Sequence, residues 1–337
     1  MLIIRADGNA KIGAGHLMRC LTIAGAAKQD VLFLCADVAS AELAESHGFR
    51  AEVLHTDYRQ PETEFAADGK AAWDRWIKET NNTILVDSYY VTDGYLEKLK
   101  RYGRVFLLDD LQDHAFPVDG VINYNVFAEE SVYRKLYKDQ ETRCYLGGAY
   151  MPLRQQFCGV AYEIRDAVKD VLITTGGGDA DNIAGAILDG IYDPGIHFHV
   201  LVGRFSPHFE SWRVRQQKTE NIEVYFDVQD MAGLLSRCDL ALSAGGSTVY
   251  EIAAIGVPLI CFSYAKNQEA LVDYIKEMEI AGSAGAWHRD REACLTQIRS
   301  LFGKLCSDRE LRRQFWEKER TLIDGRGAKR LAEILAG

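Results

Sequence analysis

The stretch LIIRADGNAKIGAGHLMRCLTIA (2–24) decides the fold. An apolar run ends at Ala6, a loop with Gly8, Gly13 and Gly15 follows, and a helical pattern begins near His16. Apolar strand, glycine loop and helix form the opening unit of a doubly wound α/β sheet. The glycines permit positive φ and a close backbone approach to a ligand. Asp7, Gly13 and Gly15 are therefore candidate substrate contacts. His16 stands where such a loop normally offers only backbone. At the positive end of a helix an imidazolium is disfavoured, so the ring can act as a base near neutral pH. A histidine that merely caps its own helix is the other reading of the same position.

The pattern continues outward. VLFLCA (31–36), TILVD (83–87) and VFLLD (105–109) read as buried parallel strands, with helical segments at 16–28, 38–47, about 64–80 and 92–102. Residues 120–165 are irregular and rich in Tyr and Gly. A second series begins at Asp170, with strands VLITT (171–175), HFHVLVG (197–203), IEVYF (222–226), DLALS (239–243) and PLICFS (258–263). Helices are expected between them at 182–190, 207–217, 229–236, 247–255 and 266–278. The fold class is α/β, with two Rossmann-like doubly wound domains facing a cleft. Residues 1–158 form the first domain, which carries His16, and 165–308 the second. Residues 309–337 are a C-terminal helical segment, a candidate to cross back to the first domain.

Composition narrows the function. Of 337 residues, 47% are apolar, as in ordinary globular proteins, and no apolar run reaches the roughly 20 residues of a membrane span. The net charge of −10 and the lack of a Lys/Arg block argue against nucleic acid and anionic lipid as partners. The eight cysteines have no C-x-x-C spacing and several lie in apolar strands, which fits buried thiols rather than a zinc or redox motif. With no leader pattern at the N-terminus, a cytoplasmic protein is expected.

Two further loops have the strand–glycine–helix form. Gly176-Gly177-Gly178-Asp179-Ala180-Asp181-Asn182 offers a phosphate nest. Its D-x-D spacing resembles a metal motif, but Asp and Asn before a helix are ordinary caps, and no metal site is assigned. In Gly245-Gly246-Ser247-Thr248, backbone N–H groups and hydroxyls can face one anion, and Glu251 lies one turn on, placed to meet a ribose diol. A capping box on Ser247 is the alternative. Asn267 and Gln268 open the next helix, and their amides suit sugar hydroxyls. In the first domain, Asp87 and Asp109-Asp110 end strands. Each can line the ligand crevice or cap the next helix.

These motifs carry a resemblance. RADGNAKIGAGHLMRCL (5–21), VDSYYVTDGYL (86–96), LLDDL (107–111), YLGGAYMPLRQQF (145–157), ITTGGGDADN (173–182), SAGGSTVYEIAAIGVPLICFSYAKNQ (243–268) and DGRGAKRLAEIL (324–335) resemble, in order, the UDP-sugar hydrolases of pseudaminic acid synthesis. That family also includes proteins of spore-coat polysaccharide synthesis. The resemblance implies a GT-B-like, MurG-like fold and a metal-independent hydrolase. It would release UDP from a 2,4-diacetamido-2,4,6-trideoxy sugar with inversion at the anomeric carbon. It implies His16 as the base, catalytic roles for Tyr89 and Asn267, and nucleotide contacts at Gly246, Ser247, Thr248 and Glu251. The family's G-G-S-D-P loop is here Gly176-Gly177-Gly178-Asp179-Ala180, and the middle of G-x-G-H is the small Ala14. The first departure removes one side-chain contact to the ligand but not the backbone nest, and the second bears on the shape of the sugar pocket.

The expected partners are a UDP-sugar substrate and UDP, with no nucleic acid, no stable membrane association, no cofactor and no metal, in a monomer or small homo-oligomer. Two other functions fit the same residues. A GT-B glycosyltransferase would use a UDP-sugar donor and a soluble acceptor. A non-catalytic UDP-sugar-binding protein would bind without turnover.

Overall fold

The structure is a computed structural model that describes all residues except 10, 66–72, 75–76, 78–80, 204–205 and 227. The chain divides into two compact units, residues 1–154 with 326–337 and residues 155–325.

In the first unit the strands are β1 (Leu2–Ala6), β2 (Val31–Cys35), β3 (Arg50–Val53), β4 (Asn82–Asp87), β5 (Gly103–Leu108), β6 (Gly120–Asn123) and β7 (Arg143–Leu146). The helices among them are α1 (Gly15–Ala26), α2 (Val38–Ser46), α3 (Asp93–Leu99) and α4 (Glu130–Leu136). All seven strands are parallel, in the order β3-β2-β1-β4-β5-β6-β7. Both faces of β1 are covered, which is why it reads as a continuous apolar run. Leu2, Ile4 and Ala6 join Leu17, Leu21 and Phe33 on one face, while Ile3 packs with Trp73, Tyr95 and Val105 on the other. Arg5 is buried with its charge met by Asp7 at 2.6 Å and Glu64 at 2.6 Å.

In the second unit β8 (Asp170–Thr174), β9 (His197–Val202), β10 (Ile222–Phe226), β11 (Leu240–Ala244), β12 (Leu259–Ser263) and β13 (Gly282–Ala286) form a six-stranded parallel sheet. Its order is β10-β9-β8-β11-β12-β13. The helices are α5 (Ile183–Ile191), α6 (Phe209–Lys218), α7 (Met231–Arg237), α8 (Ser247–Ile255), α9 (Glu269–Glu277), α10 (Arg291–Ser307) and α11 (Arg309–Leu322). The last helix, α12 (Gly327–Ala336), lies in the first unit, where Leu331 and Leu335 complete the core around Leu17.

Several elements differ from the sequence reading. The stretch 309–337, read as one helical segment, is two helices broken at residues 323–326. β3, β6, β7, β13 and α4 were not anticipated. They are short or lack the apolar strand signature. β7 reads RCYL at a sheet edge, and β13 reads GSAGA, also at an edge. The helix expected at about 64–80 falls largely outside the described residues, and Pro61–Phe65 before it is a 3-10 turn.

The strand orders locate the switch points of the two sheets. In each unit the order reverses beside the first strand, between β1 and β4 and between β8 and β11. Open α/β sheets bind ligands outside the carboxyl ends at such a switch point. The loops there are 7–14 and 88–92 in the first unit, and 175–182 and 245–246 in the second.

Candidate active site

At the first switch point, α1 begins at Gly15, and its N-cap residue Ala14 makes no side-chain capping bond. The loop before it is closed by Gly13, whose N–H donates to the Asn9 carbonyl at 2.8 Å with φ +76°. A β-carbon there would be strained. His16 does not cap its helix. Its Nδ1 lies 2.6 Å from Asp87 Oδ1, at the end of β4. Arg19 Nη2 also approaches Nδ1, at 3.1 Å, but the Asp87 contact is the shorter and a carboxylate only accepts, so in the neutral ring Nδ1 carries the hydrogen and Nε2 the lone pair. Asp87 does not cap the next helix either, because Thr92 caps α3 through Tyr95 N–H.

Asp87 is buried and held by Arg19, one turn along α1 from His16. Arg19 Nε reaches Oδ2 at 2.5 Å and Nη2 reaches Oδ1 at 2.5 Å. Burial by itself would raise the Asp87 pKa, but the Arg19 guanidinium and the His16 ring more than offset it and hold the carboxyl below its ordinary range. Asp87 is thus ionised at neutral pH. Arg19 Nη1 donates onward to Asp110 at 2.7 Å and to the Tyr124 hydroxyl.

Tyr89 completes the wall. Its ring meets His16 edge-on, with centroids 4.6 Å apart at 82°. Its hydroxyl donates to Asp110 at 3.0 Å, and burial followed by that carboxylate pushes its pKa up to about 12. His16, Asp87, Ser88, Tyr89, Tyr90 and Asp7 all line one cavity of about 140 Å³. Asp7 lines it with both oxygens engaged, by Arg5 at 2.6 Å and Ala36 N–H at 2.7 Å. It braces the loop. Arg19 is the residue the sequence reading missed, and its signal was the i, i+3 spacing from His16 on one helix face.

The second unit gathers the other candidates. Gly176 turns at φ +86° at the end of the β8 loop entry. Gly203, at the end of β9, packs so closely that a β-carbon would lie 2.2 Å from the Gly176 carbonyl oxygen. Asp179 accepts from Ile183 N–H at 2.6 Å and Ala184 N–H at 3.0 Å, the first two N–H groups of α5, while the N-cap residue Asn182 makes no side-chain capping bond. At α8 the N-cap is Gly246, with no side-chain capping bond, so Ser247 does not form a capping box. Ser247 is exposed and Thr248 and Glu251 are half-buried on the first turns of that helix. Asn267 is exposed in a 3-10 turn after β12. Gln268 is turned inward, its Oε1 accepting from Tyr264 N–H at 3.0 Å. A β-carbon at Gly245 would lie 3.1 Å from the Gln268 carbonyl oxygen, so these two loops touch. The structure therefore brings Asp7, Gly13, His16 and Tyr89 to one switch point, and Gly176, Gly177, Gly246, Ser247 and Thr248 to the other.

Comparison with known proteins bears on these two sites. Residues 171–302 match the family "Glycosyltransferase family 28 C-terminal domain". The spore coat polysaccharide biosynthesis protein SpsG of Bacillus subtilis is 25% identical over 345 residues, spanning 98% of this chain and 96% of that one. UDP-2,4-diacetamido-2,4,6-trideoxy-beta-L-altropyranose hydrolase of Campylobacter jejuni is 25% identical over 281 residues, spanning 81% of this chain and 95% of that one. The resemblance read from the motifs holds. Among solved structures, MurG of Acinetobacter baumannii superimposes with a TM-score of 0.70 at 14% identity, covering 99% of each chain. The fold is GT-B, with two Rossmann-like parallel-sheet domains. No helix among the described residues is long and apolar enough to cross a membrane.

Proposed function

We propose that this protein acts on a UDP-sugar, and that it hydrolyses a UDP-linked 2,4-diacetamido-2,4,6-trideoxy sugar at the anomeric carbon with inversion. It would serve nonulosonic (pseudaminic) acid or surface polysaccharide synthesis. The observation that carries the reading is the His16–Asp87 pair at 2.6 Å on the wall of the cavity. A base oriented by a buried, ionised carboxylate is what activation of water requires. The names of the Campylobacter and Bacillus relatives support the substrate class and the pathway.

In this mechanism water attacks the anomeric carbon as its bond to the UDP oxygen breaks. His16 Nε2 takes the proton from water. Asp87 stabilises the imidazolium that forms, and the bonding pair leaves with UDP. A single displacement inverts the centre. The glycine loop at Gly176-Gly177 and the first turn of α8, with Gly246, Ser247 and Thr248, are assigned to the diphosphate. Backbone N–H groups and the helix dipole there would stabilise the growing charge, so no separate acid is needed. Glu251 is assigned to the ribose, and Asn267 with Tyr89 to the sugar. The role of Gln268 is narrower than the sequence suggested, because its side-chain oxygen already holds Tyr264.

His16→Ala should lower kcat by about 10² to 10⁴ while UDP affinity stays within twofold. Turnover equal to the parent would reject the base. A panel of UDP-sugars assayed for UDP release, with NMR of the product anomer, tests substrate and stereochemistry together. The match to the family 28 domain and the MurG fold favour a second reading, a glycosyltransferase in which His16 deprotonates an acceptor hydroxyl. Steady UDP release without acceptor supports hydrolysis, and release only on adding acceptor supports transfer.

A further inference from the structure

The second unit carries a cluster that the reaction does not use. His197 and His199 are alternate residues of β9 and share one face of the sheet. Glu223, on the edge strand β10, pairs directly opposite His199. Glu223 Oε2 lies 3.7 Å from His197 Nε2 and 3.8 Å from His199 Nδ1. One ligand atom from each of the three residues falls within 4.8 Å of the others.

The outer contacts select a tautomer. His199 Nε2 lies 2.9 Å from Asp170 Oδ1, on the other neighbouring strand β8. Asp170 can only accept, so Nε2 carries the hydrogen and the Nδ1 lone pair faces His197 and Glu223. A carboxylate behind a histidine in this manner fixes ring orientation and raises ligand basicity in metal sites. His199 is 4% exposed, so its ring has little freedom to turn away. His197 and Glu223 are half-exposed, which leaves a path for an ion and for water in the fourth position.

We propose that His197 Nε2, His199 Nδ1 and Glu223 Oε2 form a binding site for a divalent ion of the zinc type. The donor set is two imidazoles and one carboxylate, which suits Zn²⁺ and neighbouring transition metals better than Mg²⁺ or Ca²⁺. Bonds of about 2.0–2.2 Å at tetrahedral angles put donors roughly 3.3–3.6 Å apart. The separations from Glu223 need close by only a few tenths of an ångström, while the two imidazole nitrogens, within 4.8 Å of each other, would close by up to about 1 Å, which the half-exposed His197 ring is free to do. The Tyr225 hydroxyl lies 3.0 Å from His199 Nδ1 and also bonds the Glu223 carboxylate, so it borders two of the donors and would give way to the ion. Such an ion would clamp the edge strand β10 to β9, away from the carboxyl-end loops assigned to substrate. It departs from the sequence expectation of no metal, which rests on the family resemblance, the capping reading of Asp179 and the cysteine spacing.

The test uses the full chain without a polyhistidine tag. Zn²⁺ is titrated by calorimetry and Co²⁺ by the visible absorption of a tetrahedral site. The parent should bind one equivalent and melt at a higher temperature with Zn²⁺ present. His197→Ala and Glu223→Gln change half-exposed side chains, and circular dichroism checks that each variant is folded. Each should weaken binding about tenfold or more and abolish the thermal shift. Absence of saturable binding to the parent overturns the site. So does a folded variant of either kind that binds as tightly as the parent, since the ion would then sit elsewhere, on thiols for example.

Discussion

Arg19 shows how much of the His16 environment depends on one guanidinium. It is the cation that keeps Asp87 charged despite burial, and it ties Asp87 to Asp110 and, through Asp110, to Tyr89. Replacing it with an apolar residue of similar length leaves a buried carboxylate without its main partner. Arg19→Met should let the Asp87 pKa rise. That rise moves the acid limb of kcat/KM towards higher pH, because Asp87 must be ionised to orient His16. The loss of activity should therefore be greater at pH 6 than at pH 8. An acid limb that does not move would show that Arg19 does not set the charge of the pair. Stability should fall as well, because breaking a buried pair typically costs about 3–5 kcal/mol.

At the scale of elements, the second unit depends on contact between the end of β9 and the loop after β8. Gly203 leaves no room for a side chain, since a β-carbon would lie 2.2 Å from the Gly176 carbonyl oxygen and 2.5 Å from the Gly177 carbonyl carbon. Both obstacles are backbone, so the loop itself must shift. Gly203→Ala should weaken UDP binding at least tenfold and lower stability by about 1–3 kcal/mol. Isothermal titration with UDP separates the two effects, because urea melts follow stability alone. Unchanged UDP affinity in a folded Gly203→Ala protein would remove the 176–178 loop from the diphosphate site.

The whole chain returns on itself. After the second unit it supplies α12 to the first, where Leu331 and Leu335 pack against the helix that presents His16. Gln29 Nε2 donates to the Leu335 carbonyl at 3.3 Å, and Arg330 Nη1 donates to the Ala149 carbonyl at 2.9 Å. The first unit is thus incomplete until the last residues of the chain are in place. Leu331→Ala should destabilise that unit by about 2–5 kcal/mol. Calorimetry should show one lowered transition while UDP binding, assigned to the other unit, persists. Loss of both together would mean that the two units do not melt separately.

Much of this protein was legible in its sequence. Short, mostly apolar runs such as LIIRA and VLFLC read as strands buried on both faces, and the glycine loop between LIIRA and its helix follows from backbone sterics. Weakly apolar edge strands such as RCYL and GSAGA carry no such signal, so β7 and β13 exist because a neighbouring strand offers hydrogen bonds. The same division runs through the sites. His16 and the glycine loops stand out by local pattern, and Tyr89 by the family resemblance. The engagement of Asp87 and Arg19 with His16 did not, because residues 68 positions apart meet only when β4 is laid beside β1. His197, His199 and Glu223 likewise meet only through strand register. Local sequence determined which elements form and where their loops open. Sheet order, a long-range property of packing, decided which side chains share a charge.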